Sequence, residues 1–248
     1  MTAHHKSAPA RFWLYGRHAV AAALANPERR VRRVAATRNA LDWLSARASL
    51  DALGKKLAEA KPDVIDRLLP RGAVHQGLAA EVFDLPRARL KDVCAPAEPG
   101  RPVIVLDQIT DPQNIGAIFR NAAAFNAKAI IVQERRTPPL AGVLAKAAAG
   151  AVETTPCVKV VNIARSLEAL AGLGYETAGL AGHGSEPIAA LDSKRPVALV
   201  MGAEGAGLRP LVAQSCTRLV RIPISPRMES LNVSAACAVA LYVLSAQD

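Results

Sequence analysis

Long apolar runs are missing from this 248-residue chain. None approaches the roughly 20 residues that a bilayer-spanning helix needs, so no membrane span is expected. Cysteine is sparse and unpatterned: Cys94, Cys157, Cys216 and Cys237 form no C-x-x-C pair, and no His stands at zinc-finger spacing. A metal site is therefore not expected, and Cys237, in an apolar run, reads as a core residue. Residues 1–10 are polar, with His4, His5 and Lys6 and no apolar core, which is not the pattern of a signal peptide. A disordered start is expected, along with reduced thiols in a cytoplasm. Neither a Walker loop nor G-x-G-x-x-G occurs, which leaves a triphosphate or dinucleotide site without support. Aromatics make up only 4% of the chain, while 51% is hydrophobic, mostly Ala, Val and Leu. That is enough to bury a sizeable core in one large domain or two modest ones.

What is present in excess is positive charge. The net charge is +10 and the pI about 9.9, the footprint expected of a nucleic-acid binder. Residues 1–100 hold 17 Lys and Arg against 10 Asp and Glu. The N-terminal part is thus the better candidate for gripping phosphate, with clusters at Arg29-Arg30, Arg32-Arg33 and Lys55-Lys56. On charge alone, solvated helix faces explain these clusters equally well.

The pattern predicts α/β architecture in two parts. Residues 11–86 read as a small α/β unit: a helical stretch opened by Tyr15-Gly16-Arg17-His18-Ala19-Val20 and running through Leu24, a strand at Val31–Ala35, a helix over Leu41–Ala60, a short helix at Val64–Leu69 and a strand at Leu78–Val82. Residues 87–101 lie in a Pro-rich stretch and read as a linker with a short helix near Arg89–Val93. Residues 102–248 alternate continuous apolar strands with helices, which indicates a parallel sheet covered on both faces. Ligands of such sheets sit beyond the carboxyl ends of the strands.

Three segments follow strands at that position. The first is Asp107 through Arg120, with Asp111-Pro112 making a turn, a helix starting close to Asn114, and Gly116 allowing a backbone or ligand to come close. The second is Met201-Gly202-Ala203-Glu204-Gly205-Ala206-Gly207-Leu208, a loop suited to wrapping a ligand with its backbone. The third is Ile222-Pro223-Ile224-Ser225-Pro226-Arg227-Met228-Glu229-Ser230-Leu231-Asn232-Val233-Ser234, entering a helix near Ser230 to Asn232. Each has a plain structural reading: a capped helix with a surface arginine, a Gly-rich turn, and an N-cap at Ser230.

Together, in order and spacing, the three resemble the signature motifs of the SpoU (TrmH-like, SPOUT superfamily) methyltransferases: D-P-x-N-x-G-x-x-x-R, M-G-x-E-G-x-G-L, and I-P-M/I followed by S-L-N-V-S and a helix with an L-Y pair, here Leu241-Tyr242. Tyr15-Gly16-Arg17-His18-Ala19-Val20, His75-Gln76-Gly77 and Gly150-Ala151-Val152-Glu153 are similar to the RlmB-like ribosomal RNA guanosine branch. One departure is Ser225-Pro226, which stands where the family usually places a glycine.

The resemblance implies a SPOUT-type parallel sheet with a C-terminal trefoil knot and an N-terminal substrate-binding domain. It implies transfer of a methyl group from S-adenosylmethionine to a ribose 2′-hydroxyl of RNA, a guanosine of large-subunit ribosomal RNA, by a homodimer. A tRNA 2′-O-methyltransferase and a non-catalytic RNA-binding or ribosome-assembly protein are the alternatives. It assigns catalysis to Arg120, with Asn114, Glu204, Ser230 and Asn232 as supporting groups. It assigns cofactor binding to Leu180, Met201, Gly202, Gly205, Ile222, Ile224, Leu231 and Ser234. Glu204 is expected to orient Arg120 or substrate. His183 is the nearest histidine and reads as a loop residue.

Overall fold

The computed structural model describes residues 11–47 and 51–245; the expected disordered start lies outside them. The first unit is β1 (Arg11–Tyr15), α1 (Arg17–Ala25), β2 (Val31–Ala36), α2 (Arg38–Ser45), β3 (Leu57–Glu59), α3 (Pro62–Asp66) and β4 (Leu78–Phe83). Its four strands form one sheet in the order β1-β4-β2-β3. β4 lies between antiparallel neighbours, and β3 runs parallel to β2.

The helix expected over Leu41–Ala60 does not form as one element. α2 ends at Ser45, a 3-10 segment covers Asp51–Lys56, and Gly54 turns within it at φ 45° and ψ −126°. Leu57 then pairs with Val34 across the sheet. Leu53 and Leu57 still pack on the same core as Leu44, so the apolar spacing was met by a turn and a strand rather than by a helix. Ala48, part of that spacing, lies outside the described residues.

α4 (Leu90–Cys94) follows, and its segment is bound to the second unit. Cys94 is buried, its carbonyl accepts from Tyr175 Oη at 2.8 Å, and Lys128 Nζ donates to the Pro96 carbonyl and to Glu98.

The second unit contains β5 (Val103–Asp107), α5 (Pro112–Ala124), β6 (Ala129–Gln133), α6 (Gly142–Ala147), β7 (Cys157–Val160), α7 (Ile163–Gly172), β8 (Glu176–Leu180), β9 (Glu186–Pro187), β10 (Val197–Gly202), α8 (Pro210–Gln214), β11 (Arg218–Arg221) and α9 (Val233–Ser245). All seven strands are parallel, in the order β7-β6-β5-β10-β8-β11-β9. Side chains of a strand alternate between faces. Ile104 and Leu106 of β5 therefore pack with Ile115, Phe119, Leu144, Cys237 and Leu241 of α5, α6 and α9. Val103 and Val105 pack with Ile163, Leu167 and Val212 of α7 and α8, and with Cys94. Both faces are covered, which accounts for the uninterrupted apolar strands. The strand order is consistent with the knotted arrangement that the resemblance implies. No helix among the described residues is long and apolar enough to cross a membrane.

The two units share a packed joint. Ala145 of α6 is buried in the core of the first unit. Arg29, buried, forms an ion pair of 2.7 Å with Glu153, whose side chain is 3% exposed. Arg29 Nη1 also donates to the Phe83 carbonyl at 2.7 Å, and Asn26 Nδ2 donates to Glu153 Oε2 at 2.9 Å. Arg32 and Arg33 pair with Glu81 at 2.9 and 2.7 Å. Three of the four arginines in the clusters expected to grip phosphate are thus engaged by carboxylates of the chain itself.

Candidate active site

The carboxyl ends of β5, β10, β8 and β11 are neighbours in the parallel sheet, so Asp107, Gly202, Leu180 and Arg221 end along one edge. α5 leaves this edge with Asp111 as its N-cap, whose carboxylate accepts from the backbone N–H of Gln113 at 3.3 Å and Asn114 at 3.1 Å, and with Pro112 in the first turn. The helix thus begins two residues earlier than expected, and Asn114 projects from its first turn. Arg120 lies six residues further along, exposed, with no hydrogen bond or ion pair among the described residues.

Gly116 serves helix packing. A Cβ there would stand 2.5 Å from the Leu144 carbonyl and 2.6 Å from Ala147 Cβ, so of the two expected uses, the close backbone is the one realised.

α9 begins at Val233, and its cap is Asn232. Asn232 Oδ1 accepts from the backbone N–H of Ser234 at 3.0 Å and Ala235 at 3.2 Å, and from Ser234 Oγ at 2.6 Å. The expectation of a cap at Ser230 is corrected: Ser230 is exposed, in the preceding loop, with no hydrogen bond among the described residues. Both side chains can cap, but Asn232 has a second set of bonds that fixes it. Its Nδ2 donates to Asn114 Oδ1 at 2.9 Å and to Glu204 Oε1 at 2.7 Å.

Glu204 joins the three motifs. Its Oε1 accepts from Asn114 Nδ2 at 3.2 Å, Asn232 Nδ2 at 2.7 Å and the Val233 N–H at 3.2 Å. The carboxylate stands at the start of α9, where the helix dipole favours negative charge. It makes no hydrogen bond or ion pair with Arg120 among the described residues, so the expected orienting of Arg120 by Glu204 is not seen. Its partners are the two asparagines and the Val233 N–H.

The Gly-rich loop is a tight hairpin, with Ala203 and Gly207 exchanging backbone bonds of 3.1 and 2.8 Å. Gly202 permits it: a Cβ there would lie 2.2 Å from the Gly207 carbonyl carbon. Two anchors of this edge escaped sequence reasoning. Asp107, fully buried, accepts from the Arg209 N–H at 3.0 Å and Nε at 2.8 Å and pairs with Nη2 at 2.6 Å, pinning the far end of the loop. Arg221 Nη1 donates to the carbonyls of Gly184 at 2.6 Å and Ser185 at 2.8 Å, pinning the loop after β8. The only signal was a charged residue closing a strand, Asp107 in β5 and Arg221 in β11, and an arginine following the Gly-rich loop.

The Ser225-Pro226 departure is accommodated by a turn, in which the Met228 N–H donates to the Ser225 carbonyl at 3.0 Å and the Arg227 N–H to Ser225 Oγ at 3.4 Å. No positive φ occurs in it, so no glycine is required. Leu180 and Ile222 are half-buried against the core, while Ile224 and Leu231 are exposed nearby in sequence and 37% and 36% accessible. His183 is exposed.

A family model described as "SpoU rRNA Methylase family" matches residues 101–242, and one described as "RNA 2'-O ribose methyltransferase substrate binding" matches residues 13–88. Fold and site therefore define a class: S-adenosylmethionine-dependent RNA 2′-O-methyltransferases. The 23S rRNA (guanosine-2'-O-)-methyltransferase RlmB of Vibrio cholerae is 38% identical over 235 residues, which are 92% of this chain and 94% of that protein. An uncharacterized tRNA/rRNA methyltransferase of Synechocystis is 35% identical over 244 residues, 94% of this chain, and the chain spans 62% of that relative. The AdoMet-bound rRNA methyltransferase from Sinorhizobium meliloti has a TM-score of 0.75 over 96% of this chain and 87% of that one, at 25% identity. The chain belongs to the SpoU rRNA methylase family.

A ligand of a parallel sheet sits beyond the carboxyl ends of its strands, here those of β5, β10, β8 and β11. Register places Met201 beside Leu180 and Leu180 beside Val220; Met201 and Val220 are buried, so the half-buried Leu180, Gly202 and Ile222 are the residues these strand ends leave for a ligand. Four buried or half-buried cysteines are no part of it. Burial pushes the thiols of Cys94 and Cys216 up to about 11, and those of Cys157 and Cys237 up to about 12.

Proposed function

We propose that this protein methylates the 2′-hydroxyl of a guanosine in large-subunit ribosomal RNA, acting as a cytoplasmic homodimer. Residues 11–86 bind the RNA, 87–101 join the units and 102–248 carry out the transfer. The observation that carries this reading is the meeting of Asn114, Glu204 and Asn232, from three separate motifs, at the sheet edge from which α5 carries the unpaired Arg120. The similarity to the V. cholerae 23S rRNA enzyme over 92% of the chain supports the substrate.

When bound, S-adenosylmethionine supplies an electrophilic methyl group, and the protein's task is alignment of the hydroxyl and help with its proton. Leu180, Met201, Gly202, Gly205, Ile222, Ile224, Leu231 and Ser234 would hold the cofactor. A guanidinium is very hard to deprotonate, so Arg120 acts by charge: it holds the neighbouring RNA phosphate and stabilises the developing alkoxide. The proton leaves O2′ for that phosphate or a water. Asn114 positions the ribose or phosphate, held by Glu204 and Asn232, and Ser230 bonds substrate from the loop. Exposed Val239 and Tyr242 on α9, with Met228 61% accessible in the preceding loop, supply an apolar surface for the second subunit.

Mapping 2′-O-methyl groups in ribosomal RNA and tRNA from cells lacking the protein tests the substrate. One ribosomal guanosine should lose its methyl group, and a loss confined to tRNA overturns that part. Arg120→Ala should abolish transfer while calorimetry shows cofactor affinity retained. Near-normal turnover by this variant sinks the assignment.

A further inference from the structure

Two adjoining cavities of about 570 Å³ each open on the first unit and share Thr37, Asn39 and Pro62, forming one groove. Arg17, His75 and Gln76 line one end, and Arg38, Glu59 and Lys61 the other, where Arg38 pairs with Glu59 at 3.4 Å. The wall is built with some strain. Gln76, not a glycine, stands at φ 54°, held there by the Arg17 N–H on its Oε1 at 3.1 Å and by Arg17 Nε on its carbonyl at 3.4 Å. Gly77 beside it has no room for a side chain, since a Cβ would fall 2.3 Å from Thr37 Oγ1. Strained backbone of this kind gathers at ligand clamps. Arg17 lies over the Trp43 ring at 5.6 Å with both terminal nitrogens unpaired among the described residues. The Asn39 side chain is exposed and makes no hydrogen bond among them, and Val74, 60% accessible, adds an apolar surface at the lining.

The imidazole of His75 is engaged by the Gly77 N–H at 3.0 Å and by Asp66 at 3.2 Å, but a shallow open groove with free amide and hydroxyl groups suits the edge and face of a single base. A-form duplex hides those edges and offers a shallow minor groove instead.

The groove connects to the catalytic helix. A Cβ on Gly16 would stand 3.4 Å from Gln76 Oε1 and 3.6 Å from Lys146 Cγ, so the Lys146 stem runs beside the groove wall. Ala147, the next residue of α6, meets Gly116 of α5. Arg120 follows Gly116 by four residues, about one turn along the same side of the helix. Arg17, Lys146 and Arg120 form no ion pair among the described residues, whereas Arg29, Arg32 and Arg33 are all taken by Glu153 and Glu81.

We propose that this groove holds an unpaired nucleotide of the substrate RNA, and that Arg17 and Lys146 hold the backbone phosphates leading from it to Arg120. The proposal rests on the reading of the protein as an RNA methyltransferase. The joint at Arg29 and Glu153 keeps groove and site at a fixed separation.

The test is anisotropy titration of the full chain with a labelled single-stranded RNA oligonucleotide and with an RNA duplex, over a salt series. Arg17→Ala and Lys146→Ala should each weaken single-strand binding about tenfold and reduce the slope of log affinity against log salt by about 0.7. Asn39→Ala should weaken binding with the slope unchanged. Lys194→Ala removes an exposed cation just before β10, at the opposite end of the sheet, and should change nothing. Cofactor affinity and melting temperature, measured alongside, should match wild type in all four. Unchanged RNA affinity in the first three variants, an equal loss in Lys194→Ala, or tighter binding of duplex than of single strand overturns the groove. Failure of wild type to methylate ribosomal RNA would overturn the activity instead, with the binding results still deciding the groove.

Discussion

Glu153→Gln should loosen the joint between the two units by a predictable amount. The substitution keeps the shape of the side chain and removes its charge. In the native joint the carboxylate accepts Arg29 Nε on both oxygens, at 3.1 and 3.0 Å, Arg29 Nη2 at 2.7 Å and Asn26 Nδ2 at 2.9 Å. An amide offers one accepting oxygen, and its NH2 faces groups that can only donate. The guanidinium, 1% exposed, then stays buried without a counter-charge. Breaking a buried pair from one side costs about 3–5 kcal/mol. In a chain of this size each kcal/mol moves the melting temperature by about 2–4 °C, so a fall of about 6–20 °C is expected by calorimetry. The double variant Arg29→Met with Glu153→Leu should recover part of it, because an apolar pair of similar volume replaces a buried ion pair at little or no cost. The recovery falls short by about 1–3 kcal/mol for the Phe83 carbonyl left without its donor. A single variant melting within about 2 °C of wild type, or a double variant no better than the single, refutes the view of this pair as a buried lock.

Other outcomes follow from the edge of the sheet. Glu204→Gln retains one accepting oxygen for Asn114, Asn232 and the start of α9, and Glu204→Ala retains none. Single-turnover rates should fall in the order wild type, Gln, Ala, and equal rates for the two variants would remove the role given to the carboxylate. Gly202→Ala drives a Cβ into backbone 2.2 Å away, so the hairpin must open, and calorimetry should show cofactor affinity lower by at least about tenfold. Burial holds the Cys94 thiol at about 11, against a smaller pull from Lys128, and the Cys237 thiol at about 12. Unfolded thiols ionise near pH 8.5. Their contribution to stability is therefore complete below that pH and is lost as pH rises toward the folded values. Urea midpoints should decline between about pH 9 and 11, and Cys237→Ala should flatten the decline.

Much of the second unit was legible because its strands are short unbroken apolar runs: Val103–Leu106, Ala129–Val132 and Val197–Met201 each became a strand within a residue or two. The failures have physical causes. β9, two residues long, leaves no periodicity to read. Leu53 and Leu57 keep helical spacing although a turn at Gly54 separates them, because several local geometries bring the same residues to one core. Arg29 sits in a pair of arginines that reads as solvated, and its burial depends on Glu153, 124 positions away. The motif residues were legible through resemblance, but their pairing was not. Nothing in S-L-N-V-S says that Asn232 rather than Ser230 closes the helix. That follows from Glu204, which only the folded sheet brings within 2.7 Å.

The packed joint also decides how such a protein can be recombined. The Pro-rich segment between the units looks like the place to cut when grafting a substrate-binding unit from one relative onto another. It is not the true seam. Ala145, Gly150 and Glu153 lie in the second unit, yet Ala145 packs in the core of the first, Glu153 binds Arg29, and a Cβ on Gly150 would stand 2.8 Å from Ala22 Cβ. A chimera must carry residues 142–153 along with its guest, or it joins two surfaces that were never matched. Shifts in RNA choice among relatives would then arise by paired change across this seam rather than by exchange of a free-standing module.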